Sequence, residues 1–275
     1  MKYNPDPLDN PLDRALRLAA DDAANRPDFY RLLLQSEVLV VGDAAETDDG
    51  NRLLEAGSIK KWKKPDGSLF VPFFTSQAAA QQAIKGQAKT QAKGAANCLL
   101  MPARQLFEST RGSTLFLNPN LKYGKQLLPK DIDTILAGGV PSTATAKLLP
   151  GQDEFNVVLT QPKKYPTRMV DALTKFFAKR SQVKAAYVGQ MKFDQASGKA
   201  ARLILGIYAD GDFDHLVKEV VAVISDTASR SERLNLYPIA PGQEGVAAYF
   251  FDYCKPFYES TWGSRLDSTI EPGHA

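Results

Sequence analysis

Three aspartates at alternate positions, Asp210, Asp212 and Asp214, are the nearest approach to a cation site in this 275-residue chain. Hard cations want several carboxylate oxygens on a tight turn, and an EF-hand loop opens with that spacing. Such a loop then requires glycine where this chain has His215 and glutamate where it has Val221. A plainer account uses every residue. Gly211 turns the chain, Asp212 caps a helix starting at Phe213, and Asp214 favours the helix's positive end. No metal is expected there. His274 falls in the expected C-terminal tail, so a Ser/His/Asp or Cys/His site would have to use His215, and no Gly-x-Ser-x-Gly accompanies it. There is no phosphate loop and no Gly-x-Gly-x-x-Gly after a strand, so no nucleotide or other cofactor is expected.

The basic side chains are better organised. Lys60, Lys61, Lys63 and Lys64 surround Trp62, Lys85, Lys89 and Lys93 recur every four residues, and Lys122, Lys125 and Lys130 follow. Residues 60–130 hold twelve basic side chains against Asp66 and Glu108, a balance of +10, whereas residues 1–55 hold six against twelve, a balance of −6. Lysines around an aromatic ring suit single-stranded nucleic acid, where bases stack and phosphates pair. They equally suit an acidic protein partner, or a solvated edge strand guarded against aggregation. A second cluster, Tyr249, Phe250, Phe251, Tyr253, Phe257, Tyr258 and Trp262, is dense in aromatics. Phe250, Tyr253 and Phe257 have core spacing. Tyr258 and Trp262 are candidate docking residues, because Tyr and Trp are favoured interface anchors. Cys98 and Cys254 stand in apolar surroundings and read as two buried, reduced thiols.

The elements that must position these groups follow from pattern. Hydrophobic content of 44% and charged content of 24% are globular values, and no run of eighteen apolar residues predicts a membrane span. The polar start, Met1 to Asp6, is not a secretory signal, so a cytoplasmic location is expected. Residues 1–11 and 264–275 are expected to be mobile tails, and residues 42–58 an acidic loop turning at Asp48-Asp49-Gly50. Val38–Val41 predicts a strand, and Ile59–Lys63 and Leu69–Phe74 a hairpin about Pro65-Asp66-Gly67. Pro72 lacks a ladder donor and is expected at an edge or a bulge. Thr75 or Ser76 caps a helix from Gln77, which runs into a biased Ala/Gln/Lys tract ending near Gly94. Pairing strands are expected on either side of Asn118-Pro119-Asn120, then a helix from Pro129. Residues 140–152 have linker composition. Beyond them the pattern reads β-α-β-β-α-β-α, with helices over one face of the sheet.

The strand-to-cap unit Pro72-Phe73-Phe74-Thr75-Ser76 resembles a signature of the SseB family, the bacterial "enhanced serine sensitivity" proteins. Arg26-Pro27-Asp28-Phe29-Tyr30, Thr114-Leu115-Phe116-Leu117-Asn118-Pro119, Leu203 to Gly211 and Pro256-Phe257-Tyr258-Glu259 fall in the family's order, so the resemblance covers most of residues 12–263. It implies an α+β protein of two mixed domains. The first is an N-terminal domain over residues 12–139, and the second a C-terminal domain over residues 153–263, read here as ferredoxin-like with one helix appended. The family's chemistry is undefined. The reading that follows is a non-enzymatic, cytoplasmic protein-binding protein, in a regulatory or toxin-immunity role. It would use Lys60, Lys61, Trp62, Lys63, Lys64, Tyr258 and Trp262 against an acidic surface. The alternatives are an enzyme or small-molecule binder tied to serine metabolism, and a nucleic-acid binder using the lysine patch.

Overall fold

The computed structural model describes residues 10–42, 45–46, 52–53, 59–87, 98–142, 146–148, 157–193, 200–227 and 234–260, and it divides into two units, Met1–Pro141 and Ser142–Ala275. The first unit opens with α1 (Pro11–Asp21) and α2 (Arg26–Gln35). Residues 10 and 11 therefore belong to structure and not to a tail. Asn10 caps α1 by accepting the Leu12 amide at 2.9 Å, and Pro11 takes the first helical position.

The sheet of this unit is built from β1 (Glu37–Val41), β4 (Trp62–Lys63), β5 (Leu69–Phe74), β6 (Cys98–Pro102), β7 (Leu115–Leu117) and β8 (Lys125–Leu127), in the order β6-β1-β5-β7-β8. Within the stretch expected to be an acidic loop, β2 (Ala45–Glu46) and β3 (Arg52–Leu53) form a short antiparallel ladder. The turn signal between them lies outside the described residues. The helices are completed by α3 (Gln77–Gln87), α4 (Ala103–Ser109) and α5 (Pro129–Leu136), and the Ala/Gln/Lys tract after Gln87 is likewise outside the described residues.

The β5 strand is central, and every residue from Phe70 to Phe74 is buried. Successive side chains alternate faces. Phe73 meets Phe107 of α4 edge-on at 5.8 Å, while Phe74 packs with Ala80 and Ala83 of α3 on the opposite side. Pro72 sits inside this strand, contrary to the expected edge or bulge. On one side β5 runs parallel to β7. On the other it pairs with β4 up to Phe70 and with β1 from Phe73. Pro72 falls in the gap where one neighbour gives way to the next, so its missing donor breaks no ladder bond.

The second unit contains β9 (Ala146–Leu148), β10 (Val157–Thr160), α6 (Thr167–Phe177), β11 (Val183–Phe193), β12 (Arg202–Ala209), α7 (Phe213–Ser225), β13 (Leu234–Pro238), α8 (Val246–Tyr253) and β14 (Tyr258–Glu259). The predicted element order holds, but the strand order is β10-β11-β12-β13-β9. That is not the interleaved order of a ferredoxin-like sheet. β10 lies antiparallel beside β11, and β12-α7-β13 is a parallel unit with no strand between. The eleven-residue β11 has room on its outer edge for two partners, β10 along Gln190–Phe193 and β14 along Ala185–Ala186. The expected linker also yields a strand, since Ala146–Leu148 extends the sheet parallel to β13.

Helices cover both faces of this sheet, not one. Tyr258 lies opposite Ala186 and touches Phe177 of α6, so that face belongs to α6, which packs against α7. The alternate residues Tyr187, Met191 and Ile204 pack with Ala247 and Phe250 of α8. Of the three aromatic residues with core spacing, Phe250 is fully buried and Phe257 half-buried, but Tyr253 is 77% exposed. It stacks instead on Tyr249 at the helix surface.

Candidate functional site

The two parallel strands of the first unit, β5 and β7, end on the same side of the sheet. Their chains then diverge, one into α3 through Thr75-Ser76, the other into the turn Asn118-Pro119-Asn120. Diverging exits at the carboxyl ends of parallel strands leave a crevice, which is where ligands settle in open sheets.

A buried polar hub holds the two exits together. Asn118, 3% exposed, accepts the Thr75 amide at 3.1 Å through Oδ1 and donates from Nδ2 to Thr75 Oγ1 at 2.8 Å. Thr75 Oγ1 in turn donates to Asp13 on α1, and Asn10 donates to the Thr75 carbonyl at 2.7 Å. The cap of α3 comes from Ser76, whose Oγ accepts the Ala79 amide at 3.2 Å, which frees Thr75 for the hub. Asn118 and Asn120 both adopt left-handed backbone, with φ of 46° and 63°. Asparagine tolerates that conformation best after glycine. A Cβ on Gly124 would stand 2.7 Å from the Asn118 carbonyl oxygen, so the returning chain passes only as glycine.

This hub carries a sharp expectation. Asn118→Ala orphans the buried Thr75 amide and puts alanine into a left-handed conformation, at a cost of roughly 2–3 kcal/mol. Asn118→Gly should recover about 1 kcal/mol, because it relieves only the backbone. Urea titration of the full chain measures both, and equal losses would show that the backbone contributes nothing.

Beside the hub lies a cavity of about 290 Å³. Its apolar lining comes from Leu16, Ala79 and Leu121, and small residues on α3, Ala78 and Ala79, leave the room. Arg17, Lys122 and Asp13 supply the charges, two positive against one negative, with Tyr123 alongside. The Lys122 ammonium stands 4.9 Å from the Tyr123 ring centroid, and a hydrogen bond that it donates to Tyr123, followed by the charges of Tyr123 and Asp21, raises the Lys122 pKa. The lysine therefore carries its charge at neutral pH. Sequence reading missed this cavity, although it pointed at each motif around it. The signal was the pair of family segments that contain Thr75-Ser76 and Asn118-Pro119, which only pairing of β5 with β7 brings together.

The predicted site residues are distributed differently. On the β4–β5 hairpin, Lys60, Lys61 and Lys63 are exposed, while Lys64 donates to Gln126 Oε1 at 3.2 Å. Trp62 is half-buried and packs on Phe70 at 6.2 Å and Phe74 at 6.0 Å. Tyr258, in the second unit, donates its hydroxyl to the Phe177 carbonyl at 3.1 Å. Trp262 and His274 lie outside the described residues. His215 is exposed in the first turn of α7, whose cap is Asp212, accepting the His215 amide at 3.0 Å. Asp210 faces the Lys184 ammonium at 3.3 Å. Cys98 and Cys254 are unpaired and half-buried, not fully buried, and burial pushes the Cys98 thiol up. Among the described residues no helix is long and apolar enough to cross a membrane, and no group of three or more His, Cys, Asp or Glu is placed to hold a metal.

Comparison with known proteins finds one family along both units. Residues 12–134 match the SseB protein N-terminal domain, and residues 152–260 match the SseB protein C-terminal domain. The chain is 33% identical over 259 residues to Protein SseB of Escherichia coli (strain K12), covering 94% of this chain and 95% of that protein. The same figures hold for Protein SseB of Shigella flexneri. No solved structure matches the chain.

Proposed function

From the premise that the chain belongs to the SseB family over both of its units, we propose that it is a non-enzymatic cytoplasmic protein that docks on an acidic protein partner. The observation that carries this reading is the β4–β5 hairpin. Lys61 and Lys63 are exposed there, and Leu69, directly across from Lys63, is 57% exposed. Cations flanking an exposed aliphatic side chain offer an acidic surface both steering and a contact from which water is expelled.

Trp62 has a different part from the anchor expected of it. Its ring is engaged by Phe70 and Phe74, so it holds the hairpin against the sheet and lets the lysines project. A nucleic-acid reading needs that ring to stack on a base, and for this reason a protein partner is favoured. Two half-buried, unpaired cysteines are in keeping with a reducing compartment.

The test takes a partner captured from native cytoplasm and measures its association with the full chain. Lys61→Glu with Lys63→Glu should slow association about tenfold at low salt, with the deficit shrinking as salt rises. The melting temperature should not move, because both side chains are exposed. Trp62→Ala should instead lower stability by roughly 2 kcal/mol. Capture of the partner at an unchanged rate by the double lysine variant would overturn the docking surface.

A further inference from the structure

We propose that the cavity between α1, α3 and the Asn118 turn binds a small amphipathic acid, a molecule with a carboxylate or phosphate on a short apolar body. This goes beyond the docking reading and does not depend on it, because the hairpin lysines are not among the residues that line the cavity.

Three features of the cavity set the ligand's chemistry. Its size, about 290 Å³, lies near the lower end of small-ligand pockets. Its apolar surface, from Leu16, Ala79 and Leu121, favours a hydrocarbon or aromatic body over a bare ion. Its charges favour an anion. Arg17 lines it from α1 and Lys122, on which Asp21 also acts, from the turn after β7, against one lining carboxylate, that of Asp13, which accepts the Thr75 hydroxyl.

The surrounding backbone supports the same polarity. Ser76 and Ala78, at the start of the eleven-residue α3, line the cavity. Ser76 Oγ is occupied as an acceptor of the Ala79 amide, so its hydroxyl proton is left to donate outward. The leading amides of a helix likewise have no carbonyl of their own to meet, and they reinforce a site already defined by its walls and cations. The Thr75–Asn118 bonds hold the walls in place before any ligand arrives, so little ordering is lost on binding.

The probe is phenyl phosphate, an aromatic ring carrying an anion, compared with benzyl alcohol and with inorganic phosphate by calorimetric and ligand-observed NMR titration of the full chain. Phenyl phosphate is expected to bind at least about tenfold more tightly than either, since each comparison compound lacks one of the two recognised parts. Lys122→Glu, at an exposed side chain, should weaken it about tenfold. Ala78→Trp, also at an exposed position, should abolish binding by filling the cavity. Lys61→Glu with Lys63→Glu should leave phenyl phosphate binding unchanged, so failure of the docking surface and failure of this site are told apart. Absence of phenyl phosphate binding, equal binding of benzyl alcohol or of inorganic phosphate, or indifference to Lys122→Glu would each overturn the proposal. If Ala78→Trp disturbs the fold, seen as a lowered melting temperature, the Lys122 result decides.

Discussion

Replacing Phe250 with alanine is expected to destabilise the second unit by about 3–5 kcal/mol, the range for a fully buried phenylalanine. The size of the effect follows from the seat the ring occupies. Phe250 comes from α8 and lies on β11 and β12 where both strands carry glycine. A Cβ added to Gly206 would fall 2.6 Å from Phe250 Cδ2, and one added to Gly189 would fall 3.2 Å from Cε1. The ring also packs against Tyr187 and Tyr249, each with its centroid 5.7 Å away. Glycine inside a strand weakens it by leaving nothing to pack, and here one aromatic ring fills the space of two missing side chains. The neighbouring strands and α8 cannot close over the resulting void without breaking sheet register.

The reciprocal change tests the same geometry. Gly206→Ala should cost at least about 1–3 kcal/mol by overpacking, because the atom it meets belongs to a rigid ring. In a Phe250→Leu background the same glycine substitution should be much less harmful, since the flexible leucine can withdraw. Equilibrium denaturation of the four proteins in this cycle yields the coupling directly. Additive losses would mean that the ring and the glycine do not share the space described.

Glu219→Ala should be comparably severe, about 3–5 kcal/mol, because it removes the carboxylate that takes two of the Arg180 guanidinium's bonds in a largely buried pair. Glu219 on α7 is 4% exposed and receives Arg180 through two parallel bonds, Nε to Oε2 at 2.9 Å and Nη2 to Oε1 at 3.1 Å. Arg180 also lies over the Phe176 ring at 4.6 Å, so its planar group is held from the side and from below. The pair joins the turn after α6 to α7, and that junction sets how the two helices lie on their shared sheet face.

Two further variants separate the charge from the shape. Arg180→Lys keeps the charge but loses the forked geometry and the stacking, so it should cost more than a conservative exchange usually does. Arg180→Met with Glu219→Leu should regain most of the loss from Glu219→Ala, because an apolar pair needs no desolvation. Stability that varies little with ionic strength in the parent protein is expected, as a pair this deep is poorly screened. A double variant no better than Glu219→Ala would show that the cost lies in lost volume and not in the stranded charge.

Much of this protein was legible from residue pattern because the causes are local. Pro129 opens a helix, Asp212 caps α7, and α7 starts at Phe213 as that cap predicts. Leu69–Phe74 is a strand because six residues of that composition can do little else between a turn and a cap. The family segments and the α+β class were readable for the same reason. What tertiary structure alone decided was adjacency. Nothing local in β10 requires β11 as its neighbour in place of the ferredoxin-like order, and nothing local in Ala146–Leu148 announces a partner near Leu234. Thr75 could serve equally as a helix cap until Asn118, forty-three residues away, supplies an amide acceptor and a donor at once. Trp62 could be an exposed anchor until Phe70 and Phe74 arrive beneath it. Local pattern sets the period and the ends of each element through backbone sterics and capping. The cavity, the hub and the glycine seat exist only where strands distant in sequence are brought side by side, because their energies reside in contacts that no single segment contains.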